Sequence, residues 1–166
     1  MKNWFLGYNS RGFTLQELLI VLFVVVTMLT LGIGNLYRSQ QQASLQARLQ
    51  SITADIRGQQ IKAMTGEVIE NEAVAPYGIH FENDRYVLFR GMIYDQADSA
   101  NLEIELEDTL AFDQITFPSS SLQFSSIHGM MLNYSAAQNE VILKDTSTGE
   151  TKTISINKNG VIYEVE

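Results

Sequence analysis

The stretch Ser10-Arg11-Gly12-Phe13-Thr14-Leu15-Gln16-Glu17, running directly into the apolar residues 18–26, constrains this chain more than any other feature. A basic leader, a Gly-Phe junction and one carboxylate stand at the head of an apolar segment. An acidic side chain deep in a bilayer costs on the order of 2.5–3.5 kcal/mol on translocon scales, so an ionisable group in such a segment points to a function by default. Thr14 and Glu17 also fit a capping box, a Thr at the helix start with a Glu three residues on. On that reading Glu17 only starts a helix. A cap accounts neither for the Gly-Phe junction nor for the arginine before it.

Counted from Phe13, the apolar segment is about 22 residues, or about 33 Å at 1.5 Å per residue, enough to cross a bilayer core. The run from Leu18 to Gly34 exceeds the ~7–15 residues of a secretory h-region, and no small-residue cleavage site follows it. Lys2 and Arg11 precede the segment and residues 1–12 hold no acidic side chain. The positive-inside rule then predicts a cytoplasmic leader and an external remainder, with one crossing from Phe13 to Gly34.

In these residues the chain resembles type IV pilins and type II secretion pseudopilins. A basic residue, Gly12, Phe13, Thr14, Leu15, then Glu17 and an unbroken apolar helix fall in register, over the first quarter of the chain. The resemblance implies that a prepilin peptidase cuts between Gly12 and Phe13 and methylates the new amine of Phe13. It implies that Glu17 is the assembly residue, pairing with a neighbouring subunit's terminal amine. The partners implied are that peptidase, other pilin or pseudopilin subunits, an inner-membrane assembly platform and the lipid bilayer. The implied location is the inner (cytoplasmic) membrane, single-pass, leader inside and C-terminal domain outside, until assembly into a pseudopilus or pilus. The twelve-residue leader, with Trp4, Phe5 and Tyr8, is longer and more aromatic than the shortest pilin leaders.

Composition suits a small exported domain on a stalk. The 166 residues leave room for one domain beyond the helix. The absence of cysteine excludes disulfides and thiol catalysis. The net charge of −8 becomes −10 once Lys2 and Arg11 leave with residues 1–12. That balance opposes nucleic acid as a partner, because binding it needs clustered Lys and Arg to displace counterions.

Residues 35–64 read as a soluble continuation of the helix, proline-free and rich in Gln, Ala, Leu and Arg. Leu45, Leu49, Ile52 and Ile56 step by four, three and four, marking one apolar face for packing on a globular domain. Gly32 and Gly34 are the places where such a helix is expected to bend.

Residues 65–166 read as a β-rich globular domain, opening with a loop from Thr65 to Pro76. Residues 77–82 and 85–90 around Asn83-Asp84 read as a tight hairpin, with Phe81 opposite Tyr86, Ile79 opposite Leu88, and Glu82 opposite Arg85. Leu102, Ile104 and Leu106 alternate with Glu103, Glu105 and Glu107, the pattern of a half-buried strand. Short strands follow at Gln114–Phe117 and at Leu122–Phe124 running towards Ile127. A closing meander covers Glu140–Lys144, Lys152–Ile156 and Val161–Val165. The fold class expected is α+β: a long N-terminal helix, transmembrane in its first half, packed on a C-terminal antiparallel β-sheet or two-sheet domain.

The hairpin, the strand from Leu102 and the closing pattern at Lys152 to Ile162 resemble the H-type minor pseudopilins and the related FimT-like minor pilins. No catalytic signature accompanies them. There is no Gly-x-Ser-x-Gly elbow, phosphate loop or zinc spacing, and His80 and His128 lie far apart. Glu103, Glu105 and Glu107 are candidates for a calcium site, against the alternative of a solvated acidic face. The expectation is a structural subunit without cofactor or enzymatic activity. The competing reading is a single-pass membrane-anchored extracytoplasmic binding or sensor module.

Overall fold

The computed structural model describes the backbone of residues 12–66 and 75–165, and their side chains except at 31–41 and 164–165. The leader residues 1–11, most of the expected 65–76 loop and the hinge glycines Gly32 and Gly34 lie outside the described residues or side chains. The chain divides into two compact units, residues 1–40 and 41–166. Helix α1, Leu15–Thr65, contributes to both.

In the first unit, Thr14 caps α1 through its hydroxyl. Every side chain from Leu15 to Thr30 is exposed. The two threonines keep that surface apolar by turning their hydroxyls inward. Thr27 donates to the carbonyls of Phe23 and Val24, and Thr30 to those of Val26 and Thr27. Both polar groups are satisfied within the helix.

The fold-class expectation is corrected here. Among the described residues no helix is long and apolar enough to cross a membrane, so the transmembrane first half is not seen. The apolar stretch with described side chains, residues 15–30, opens with the polar Gln16 and Glu17. It measures about 24 Å at 1.5 Å per residue, short of the ~30 Å hydrocarbon core. The expected span from Phe13 to Gly34 continues into residues 31–34, whose side chains are not described.

The second unit holds two four-stranded antiparallel sheets. One has the order β3-β2-β1-β5, with β1 Tyr77–Phe81, β2 Arg85–Arg90, β3 Leu102–Glu105 and β5 Ser121–Phe124. The other has the order β4-β6-β7-β8, with β4 Leu110–Ile115, β6 Glu140–Asp145, β7 Thr151–Ile156 and β8 Ile162–Val165. The β1–β2 hairpin adopts the register read from the sequence, Phe81 on Tyr86 and Ile79 on Leu88. At its turn the Arg85 guanidinium lies 2.7 Å from the Glu82 carboxylate.

Within this unit the apolar stripe of α1 does what its spacing requires. Leu45, Leu49, Ile52 and Ile56 are at most 2 % exposed and share one core with Phe81, Tyr86, Phe112, Leu143 and Ile154 from both sheets. Burying each such side chain stabilises by about 1.5–3 kcal/mol relative to leaving it in water. Polar contacts fix the helix at either end of the stripe. Arg48 grips Glu107 through two hydrogen bonds of 2.7 and 2.9 Å, and the Gln60 amide donates to the carbonyls of Gly129 and Asn159.

Candidate functional site

Two places carry chemistry beyond packing, one in each unit. The first is the start of α1. The Glu17 N–H donates to the Thr14 hydroxyl at 3.3 Å, and that hydroxyl donates to the Glu17 carboxylate at 3.5 Å. The box therefore closes on the threonine hydroxyl, whereas the usual form closes on the cap residue's own N–H. Gly12, Phe13 and Glu17 are all exposed, Phe13 at 82 %. The carboxylate sits in the first turn, where the partial positive charge of the helix N-terminus favours it. The junction is thus accessible and immediately followed by a capped helix with an apolar surface.

The second place is a cleft of about 380 Å³ on the outer face of the β3-β2-β1-β5 sheet. Its floor comes from strand alternation. His80, Ser121 and Gln123 occupy the side of β1 and β5 opposite the core. Gly78, on the same face as His80, shapes one end. A Cβ there would fall 2.7 Å from both the Leu122 carbonyl and the Phe89 ring, so only glycine lets that ring lie across β1. Tyr94 then packs edge-on to Phe89, with centroids 5.6 Å apart, and stacks on His80 at 4.1 Å. The loop bearing Tyr94 is pinned to β5 by Gln123, whose amide donates to the Met92 carbonyl at 3.0 Å. The opposite wall is Pro118–Ser119 and Leu132–Asn133. Ser119 and Asn133 both hold positive φ, 51° and 54°, where an L side chain is strained.

The hydrogen bonds select one tautomer of His80. Ser121 donates its only hydroxyl proton to the Ser119 carbonyl at 3.1 Å, so at 2.9 Å it accepts from His80 Nδ1. Nε2 is then the unprotonated nitrogen. Burial lowers the pKa of this histidine below 6.5, partly offset by the Glu82 carboxylate, and favours the neutral ring. The proton runs from histidine to serine, the reverse of what a serine nucleophile needs from its base.

The acidic residues singled out from the sequence do not gather. Glu103 pairs with Arg85 at 3.2 Å and Glu107 with Arg48 at 2.7 Å, while Glu105 is exposed. Among the described residues no group of three acidic or histidine side chains could hold a metal ion. β3 ends at Glu105, which breaks the alternation before Glu107. His128 is exposed and does not line the cleft. In the sequence Ser119 reads only as part of a turn-like serine run and Asn133 only as a chance Asn-x-Ser match, and nothing singles out Tyr94.

Compared with known proteins, the chain matches no family model, no curated protein and no solved structure.

Proposed function

We propose that this chain is a minor, pilin-like structural subunit, processed between Gly12 and Phe13 by a prepilin peptidase and assembled into a type II secretion pseudopilus or type IV pilus. The observation that carries the reading is the exposed Gly12-Phe13 junction set directly before the Thr14–Glu17 cap and an apolar helical surface. Leu15, Leu18, Leu19, Ile20, Leu22 and Phe23 are each 58 % exposed or more, and such a surface requires cover from lipid or from neighbouring helices. In the assembled filament that cover is the equivalent helix of other subunits, and Glu17 meets the methylated amine of Phe13 on a neighbour. Before assembly the protein is held at the inner membrane through that exposed apolar surface. The chain acts through its surfaces and carries no enzymatic step of its own.

The decisive experiment is the intact mass and N-terminal sequence of the full chain expressed with an active prepilin peptidase. A product starting at methylated Phe13 is expected. A chain still starting at Met1 would overturn the proposal and leave the anchored binding module as the reading.

A further inference from the structure

We propose that the cleft between Tyr94 and Asn133 is a binding site for a neutral carbohydrate ring. Its argument is independent of the filament reading and rests on which ligand chemistries the walls accept. Among the described residues no Asp, Glu, Lys or Arg lines the cleft, and its titratable rings are Tyr94 and His80, whose pKa burial lowers in favour of the neutral ring. A phosphate or carboxylate ligand would find no cation there, on a chain that already carries a net charge of −8. A purely apolar ligand fits no better. It would strip water from the Ser119 hydroxyl, the Asn133 amide and Gln123 Oε1, side-chain groups with no hydrogen bond to the described residues.

An extended peptide adding to the sheet is excluded by the edge itself. Beside the cleft, β5 is already covered by residues 130–132: Ser125 N–H donates to the Met130 carbonyl at 2.8 Å and Leu132 N–H to the Gln123 carbonyl at 2.9 Å. A peptide adding there would have to displace this covering segment.

What remains is a ligand with a non-polar face and a rim of neutral hydroxyls. A pyranose offers both. Its C–H face suits Tyr94, Met92, Ile93 and Leu132, and its hydroxyls suit the amides of Asn133 and Gln123, the Ser119 hydroxyl and the unprotonated His80 Nε2. The volume, about 380 Å³, lies within the range of small-ligand sites. Strained residues held on one wall are a recurring mark of ligand clamps. The His80–Tyr94 stack and the Gln123 pin fix the floor before any ligand arrives, which lowers the entropic cost of binding.

The test uses the full chain in a phosphocholine detergent, since glucoside and maltoside detergents would compete. Saturation-transfer NMR titrates methyl glucoside, N-acetylglucosamine and maltose, with glucuronic acid and an acetylated, amidated trialanine as counterparts. At least one neutral sugar is expected to saturate below about 10 mM, at the weak end of specific affinity. Glucuronic acid and the peptide are expected to bind at least tenfold more weakly. Tyr94→Ala and Asn133→Asp, each checked for unchanged circular dichroism, are each expected to weaken sugar binding at least tenfold. Asn133→Asp keeps the size and the tolerance of positive φ, so it reports on chemistry rather than folding. No saturable sugar signal, tighter binding of the peptide or the acid, or sugar binding that survives both variants would overturn the proposal.

Discussion

The Tyr86 hydroxyl donates to Asp55 Oδ2 at 2.6 Å, tying β2 to the C-terminal part of α1. Tyr86 is wholly buried, and its ring packs against Phe81 and Phe112. Burial first, then the hydrogen bond to Asp55, pushes its pKa up to about 12. Because the folded value lies above the ordinary 10.0, the neutral phenol stabilises the fold fully below pH 10 and that contribution is lost as the pH rises through about 12. Burial raises Tyr94 as well, so tyrosinate absorbance is expected to show a late-titrating component that shrinks by one tyrosine in Tyr86→Phe. The same variant strands the Asp55 carboxylate and is expected to lower stability by about 1.5–3 kcal/mol, read from urea unfolding. A loss within error of zero would show that water replaces the bond.

His80 sets an acid limit of a different kind. Its folded pKa lies below 6.5, chiefly through burial, so the unfolded chain takes up the proton first as the pH falls. Its effect on stability is nil well above pH 6.5, and stability then falls with pH until the folded value is passed. Glu107 and Asp145 act lower. Hydrogen bonds from Arg48 and Ser147 depress their pKa values, so their stabilisation is present above the ordinary carboxylate values of 4.5 and 3.8 and lost only beneath them. Urea midpoints at about pH 7.5 and about pH 5.5 should therefore differ for the native chain and converge for His80→Gln. An equal pH dependence in both proteins would count against the buried neutral ring.

Two glycines with nearly the same positive φ should respond differently to alanine. Gly160, at φ +75°, closes the turn on which Gln60 is anchored, and a Cβ there would lie 2.6 Å from the Gly129 carbonyl and strike the Gln60 amide. Gly149, at φ +76°, faces open space. Gly149→Ala is expected to cost about 1–2 kcal/mol, the left-handed penalty alone. Gly160→Ala adds a clash and the loss of the Gln60 anchor, and is expected to cost at least about 1 kcal/mol more. Denaturant midpoints of the two variants measure the difference. Equal losses would mean the turn shifts away without consequence.

How much of this was legible in the sequence depended on whether one segment or several wrote the feature. The β1–β2 register follows from two alternating runs and a two-residue turn, so Phe81 and Tyr86 could be paired from sequence alone. The α1 stripe from Leu45 to Ile56 is likewise a local period. Where alternation is interrupted, the reading failed. A bulge between Phe112 and Gln114 hid the first half of β4, which begins at Leu110 rather than Gln114. Ile127, expected to prolong β5, sits at φ +73° and is exposed, with its N–H turned to the Ala63 carbonyl. Leu102, read as inward, is 58 % exposed because β3 is an edge strand. The cleft was illegible throughout. His80, Tyr94, Ser121 and Asn133 come from four segments that meet only when the loop after β2 closes over Gly78 and Phe89.

The double use of Glu17 can be separated by a substitution that the cap tolerates. Gln serves as well as Glu at the third helical position of a capping box, so Glu17→Gln keeps the helix start and removes only the charge. Thr14→Ala does the converse, deleting the hydroxyl that receives the Glu17 N–H at a cost of about 1 kcal/mol while leaving the carboxylate. If Glu17 pairs with a neighbour's amine among apolar helices, neutralising it strands the partner's buried charge, a penalty of about 3–5 kcal/mol per contact. Filament incorporation, scored by shearing and immunoblot with the peptidase present, is then expected to fail for Glu17→Gln and to persist for Thr14→Ala. If Glu17 only caps the helix, the order reverses: Glu17→Gln assembles normally and Thr14→Ala carries the defect.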